Sequence, residues 1–164
     1  MKYLLVVILV LSGLAAQTPT PEETMTGRQF YNELKAASGL NPLFTTVCFR
    51  PDRPDAFDLI GFTKQFETTA RAKGIPLTAK ERKAYASLDG LMTQTYVKGI
   101  ASGEDMLTQD KVNREQWHSY SQVKGHRFHL IVSLSPVGRY RRSVYVDNGF
   151  TPSAEGFGKC EPIQ

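Results

Sequence analysis

The chain has 164 residues, 41% of them hydrophobic and 22% charged, with a formal net charge of +4 and two cysteines. That length fits one domain behind a leader, and the sequence contains no internal repeat, no low-complexity tract and, beyond the leader, no second stretch apolar enough to span a bilayer. The charge is uneven: residues 17–110 carry eleven Lys and Arg against twelve Asp and Glu, whereas residues 111–164 carry eight against four, so the basic surplus sits in the C-terminal third.

Met1 to Ala16 open with Lys2, continue as an unbroken apolar run from Tyr3 to Leu11, and close in small residues around Gly13, Ala15 and Ala16. This is the pattern of a cleaved secretory signal peptide. It directs the mature chain to the periplasm or the extracellular space, with no membrane span left after cleavage. Residues 17–25, with Pro19 and Pro21, read as an extended tether, and residues 26–164 as a single domain.

Thr26 and Gln29 form a capping-box pattern, followed by Phe30, Leu34 and Ala37 at helical spacing, which predicts a helix over Gly27 to Ser38. Leu43 to Arg50 predicts a strand, and Phe57 to Phe62 a second strand pairing back through the polar turn at residues 51–55. Lys64 to Lys73 predicts a helix stopped at Gly74, and Thr78 with Glu81 caps a third. Leu91 to Ile100 reads as a strand, as does Asn113 to Gln122.

The sharpest alternation comes last. Arg127 to Leu134 sets Phe128, Leu130, Val132 and Leu134 on one side, and Arg139 to Val146 does the same with Tyr140, Val144 and Val146. Between them, Pro136-Val137-Gly138 predicts a hairpin loop that pairs Leu134 with Tyr140 and Phe128 with Val146. A two-residue turn near Lys124 and Gly125, preferred because it buries the only Trp, sets Trp117 opposite Val132, His118 opposite Ile131 and Tyr120 opposite His129; a three-residue turn would reverse those faces. Arg142, on the core side opposite Val132, is expected either to snorkel past the edge of the sheet or to pair with a carboxylate from a helix, for which Glu67 and Glu81 are the candidates. The expected fold is α+β, with helices packed on one face of a mainly antiparallel, C-terminally meandering sheet.

Two cysteines in an exported chain predict a disulfide between Cys48 and Cys160, fixing the C-terminus beside an early strand. The outward side of the final strands collects His118, Tyr120, Arg127, His129, Arg139, Arg141 and Tyr145. Imidazoles and phenols exchange protons near neutral pH, and arginines hold carboxylate or phosphate, so these seven residues form the candidate ligand site. The expected partner is an anionic small molecule, peptide or protein surface. The alternative is a cofactor-free, hydrolase-like enzyme with His129 or His118 as acid/base, and a third possibility is an inhibitor of secreted enzymes.

Other chemistries lack their spacing. His126 and His129, or Glu115 and His118, would share a side on a helix, but on strands an offset of three sends them to opposite faces, so no metal site is expected. No Gly-x-Ser-x-Gly elbow or phosphate-cradling loop occurs, and no cofactor is implied. Arg139-Tyr140-Arg141-Arg142 splits between two faces of a strand, which argues against nucleic acid as a partner.

Overall fold

The computed structural model describes residues 25–163; the expected leader at residues 1–16, and the tether apart from Met25, lie outside the described residues. The elements run, in chain order, α1 (Gly27–Ala36), β1 (Thr46–Phe49), β2 (Ala56–Phe62), α2 (Thr63–Ala72), α3 (Ala79–Ser87), β3 (Gly90–Val97), β4 (Ile100–Gln109), β5 (Gln116–Val123), β6 (His126–Leu134), β7 (Arg139–Val146) and β8 (Ala154–Pro162). Each strand pairs antiparallel with the next, and β8 returns to pair with β1, giving a closed eight-stranded barrel. This corrects the expected α+β fold: the meander is present, but it closes on itself, and the helices lie outside it.

Two strands absent from the sequence reading make the difference. β4 carries Gly103 and Asp105 on its lumen side, and β8 carries Gly156 and Gly158, so neither shows the apolar alternation that announces a half-buried strand. Lys98-Gly99 is a tight two-residue turn, with φ of 50° and 75°, that ends β3 at Val97 and starts β4 at Ile100. The expected strand from Leu91 to Ile100 thus spans parts of two. The strand expected to begin at Leu43 begins at Thr46.

The C-terminal registers agree with the sequence. Leu134 pairs with Tyr140, Phe128 with Val146, Trp117 with Val132, His118 with Ile131 and Tyr120 with His129. Lys124 and Gly125 form the two-residue turn, at φ of 50° and 85°. Cys48 and Cys160 stand directly opposite one another on β1 and β8 and are joined by a disulfide. Both capping boxes form, Thr26 with Gln29 on α1 and Thr78 with Glu81 on α3.

Alternation along the strands divides the barrel into lumen and exterior. One end of the lumen is apolar, filled by Ile60, Leu91, Leu107, Trp117, Leu130, Val132 and Tyr140 beside the disulfide. Toward the other end it becomes polar. There Asp58, fully buried, accepts the Tyr140 phenol at 2.9 Å and the Thr95 hydroxyl at 2.6 Å. Arg142 finds its carboxylate on β4, Asp105 at 3.4 Å, rather than on the helices as the sequence suggested; the strand that supplies it was the one not anticipated.

On the exterior, α1 lays Tyr31 over Phe57 and Phe49, and α2 packs Phe66 and Ala70 with Leu43. This second layer explains why β2 is buried on both faces and reads as a continuous apolar run. β4 and β5 are joined by only two residue pairs, Thr108 with His118 and Gln109 with Trp117, and diverge toward the polar end. Lumen-facing Gly103 and Ser121 are exposed as a result. Among the described residues no helix is long and apolar enough to cross a membrane.

Candidate functional site

Residues of one parity on β5, β6 and β7 face outward, away from the lumen, because Trp117, Leu130, Val132 and Tyr140 of the other parity fill it. Four of the outward residues meet. The His129 ring stacks on Tyr120 with centroids 4.2 Å apart, lies 5.1 Å from His118, and is flanked by Tyr145 at 5.8 Å. His118 Nδ1 and His129 Nε2 are 2.8 Å apart, a hydrogen bond between imidazoles.

The direction of that bond follows from which ring nitrogen carries the hydrogen. Asp110 Oδ2 lies 3.5 Å from His118 Nε2, an electrostatic contact longer than a well-formed hydrogen bond. A hydrogen on His118 Nε2, the nitrogen facing that carboxylate, would make Nδ1 the acceptor of the pair. In that tautomer His129 donates from Nε2 and presents Nδ1 as an acceptor. Burial, with the neighbouring His118 as a second cause, pushes the His129 imidazole below its ordinary pKa and keeps it neutral near pH 7. The Asp110 carboxyl is held below the usual range by the backbone N–H groups of Asn113 and Val112, with His118 adding to the effect.

Two clefts flank this stack and share Tyr120, which is 74% exposed. One, of about 390 Å³, is bounded by Tyr120, Gln122, Arg127, His129 and Asn148, with Ser121 and Phe128 also contributing. The other, of about 350 Å³, lies between His118 and the loop at residues 110–112. Arg127 is positioned by Asp147, whose Oδ1 accepts its backbone N–H at 2.9 Å while Oδ2 takes His126 Nδ1 at 2.8 Å. No carboxylate among the described residues lies within salt-bridge distance of the Arg127 guanidinium.

The seven outward residues are thus not one site. His118, Tyr120, Arg127, His129 and Tyr145 cluster toward the polar end of the barrel. Arg139 stands at the opposite end of β7, about 20 Å from Tyr145 at the rise of a strand, facing Lys159 across the ladder. Arg141 is held by Glu155, its Nε 2.8 Å from Oε1, so its charge is already matched. Glu155 in turn sits below the usual carboxylate range, chiefly through that contact.

Gln122, Asn148 and Asp110 are additions to the expected set. Gln122 shares its face with Tyr120 two residues away and was legible from alternation; Asn148 and Asp110 sit in loops, where alternation gives no signal. His126, bonded to Asp147, is separated from His129 by the strand offset, and no group of three or more His, Cys, Asp or Glu side chains among the described residues could hold a metal ion. No protein-family model, no curated protein and no solved structure matches the chain.

Proposed function

We propose that this chain is an exported ligand-binding barrel that takes a small anionic ligand, aromatic or flat, in the cleft bounded by Arg127, His129 and Tyr120. The observation that carries the reading is the company Arg127 keeps: a guanidinium with no salt-bridged carboxylate, beside a neutral imidazole presenting an acceptor and an exposed phenol ring. A carboxylate on Arg127 and a ring against Tyr120 would use all three. Export rests on the leader pattern at residues 1–16, and the Cys48–Cys160 disulfide supports an oxidising compartment.

Benzoate is the probe. In an NMR titration it should move the Tyr120 and His129 ring signals along one saturable curve. Arg127→Glu should weaken binding at least about tenfold, the worth of one charge-assisted hydrogen bond, while Arg139→Glu leaves it unchanged. Absence of saturation, or equal affinity in Arg127→Glu, removes the proposal.

A second reading rests on the Asp110–His118–His129 array, whose polarity leaves His129 Nδ1 as a proton acceptor suited to hydrolase-like chemistry. Turnover of chromogenic esters by the wild type, lost in a folded His129→Ala variant, would select it over simple binding.

A further inference from the structure

The lumen of a barrel this narrow is usually filled by apolar side chains, yet its polar end holds two arginines. Arg50 leaves the end of β1 and turns inward; it is only 8% exposed, and its Nε has no hydrogen-bond partner among the described residues. Its nearest carboxylate is Asp58, 3.7 Å from Nε and so beyond hydrogen-bond distance, whose oxygens accept from the Tyr140 and Thr95 hydroxyls. Arg142 has the same incompleteness: Nη2 reaches Asp105 at 3.4 Å, while Nε is buried without a partner.

Both arginines converge over Gly156. Arg142 is its cross-strand neighbour, and a Cβ at Gly156 would lie 2.9 Å from Arg50 Cδ and 3.0 Å from both Arg50 Nη1 and Asp52 Oδ2. The glycine leaves the room that the guanidinium occupies. Between the two arginines opens a cleft of about 250 Å³, with Val144 and Ala154 as its apolar wall and Asp52 and Glu155 as acidic members of its lining. Arg53 also lines it, but is paired with Asp55 at 3.4 Å.

A buried N–H donor left without an acceptor is costly, and the two open Nε groups point to something that accepts from these guanidinium groups. We propose that this cleft is a second binding site, distinct from the outer face of β5–β7, and that its ligand is a small monocarboxylate held between Arg50 and Arg142 with its short apolar portion against Val144 and Ala154. The planar fork of a guanidinium matches a carboxylate in two parallel bonds. Asp52 selects against a more highly charged anion such as phosphate, which would meet a like charge on entering.

Butyrate is the probe, titrated in chloride at constant ionic strength with inorganic phosphate in parallel. The Nε–H resonances of Arg50 and Arg142 should move together and saturate with butyrate, and far less with phosphate. Arg142→Gln should weaken butyrate binding at least about tenfold. Ala154→Leu, which fills the wall at the start of β8 and leaves every charge in place, should weaken it as well with the far-ultraviolet spectrum unchanged. The wild-type titration decides even if Arg142→Gln does not fold: no saturable movement of the two Nε–H signals overturns the site, and tighter phosphate binding overturns the monocarboxylate. The Tyr120 and His129 signals report the outer face separately, so the two sites succeed or fail independently.

Discussion

His129 is the residue whose protonation matters most to the outer face. It is met by His118 and Tyr120 from β5 and by Tyr145 from β7, with Arg127 on its own strand and Asp110 behind His118. Its imidazole titrates below the ordinary value because burial disfavours the cation, and His118 adds to this. The unfolded chain, with an ordinary pKa of about 6.5, therefore binds the proton first as pH falls. Stability must decline from above that value down through the lowered folded pKa, where both forms hold the proton. Urea unfolding of wild type against His129→Gln between neutral pH and about pH 5 should show the wild type losing stability faster on acidification. Parallel slopes would mean that His129 titrates normally. The carboxyls of Asp110, Asp147 and Glu155, all held below their usual range, lose their contributions only in more acidic solution.

At the scale of elements, what the sequence made legible was what alternates. β6 carries apolar residues at every second position and β7 does so except at Arg142, while β5 is placed against β6 by the Lys124-Gly125 turn and by Trp117, so the registers, the outward grouping of His118, Tyr120 and His129, and the inward placement of Arg142 could all be read. β8 could not, because its lumen side presents Gly156 and Gly158 where an apolar pair would have marked a strand. Gly158 is there for the backbone, since a Cβ on it would overlap the Phe49 carbonyl oxygen of β1, and Gly156 for the Arg50 side chain. β4 escaped for a related reason, its lumen side carrying Gly103 and Asp105, and without these two strands an open sheet was the natural reading. The clefts escaped because each is completed by loop residues, Asn148, the segment at 110–112, or Asp52 and Arg53, which alternation does not place. Gly158→Ala must push β8 away from β1, and overpacking against backbone costs about 1–3 kcal/mol or more. Hydrogen exchange should then quicken at the β1 and β8 amides ahead of those of β6. Equal protection would place the closing seam elsewhere.

For the molecule as a whole, the decisive feature is that the first and last strands are neighbours. Cys48 and Cys160 are 112 residues apart in sequence and opposite each other in the ladder, so one covalent bond encircles nearly the entire barrel. Two effects hold that seam, and they act on different states. The backbone hydrogen bonds of β1 with β8 belong to the folded barrel. The disulfide acts mainly on the unfolded chain, removing the freedom of a loop this long, worth about 4–5 kcal/mol on chain-entropy grounds. Replacing both cysteines with alanine should therefore leave the native barrel closed, with an unchanged far-ultraviolet spectrum and the same β1–β8 amide protection relative to global unfolding. The unfolding free energy should fall by about that amount, and the urea dependence should steepen because the released chain exposes more surface. A loss below about 1 kcal/mol would show that the unfolded chain keeps its ends together without the bond. A spectrum that changes would show instead that the four-residue strand β1 cannot hold the seam by its ladder alone, and that closure of the barrel depends on the disulfide and hence on an oxidising compartment.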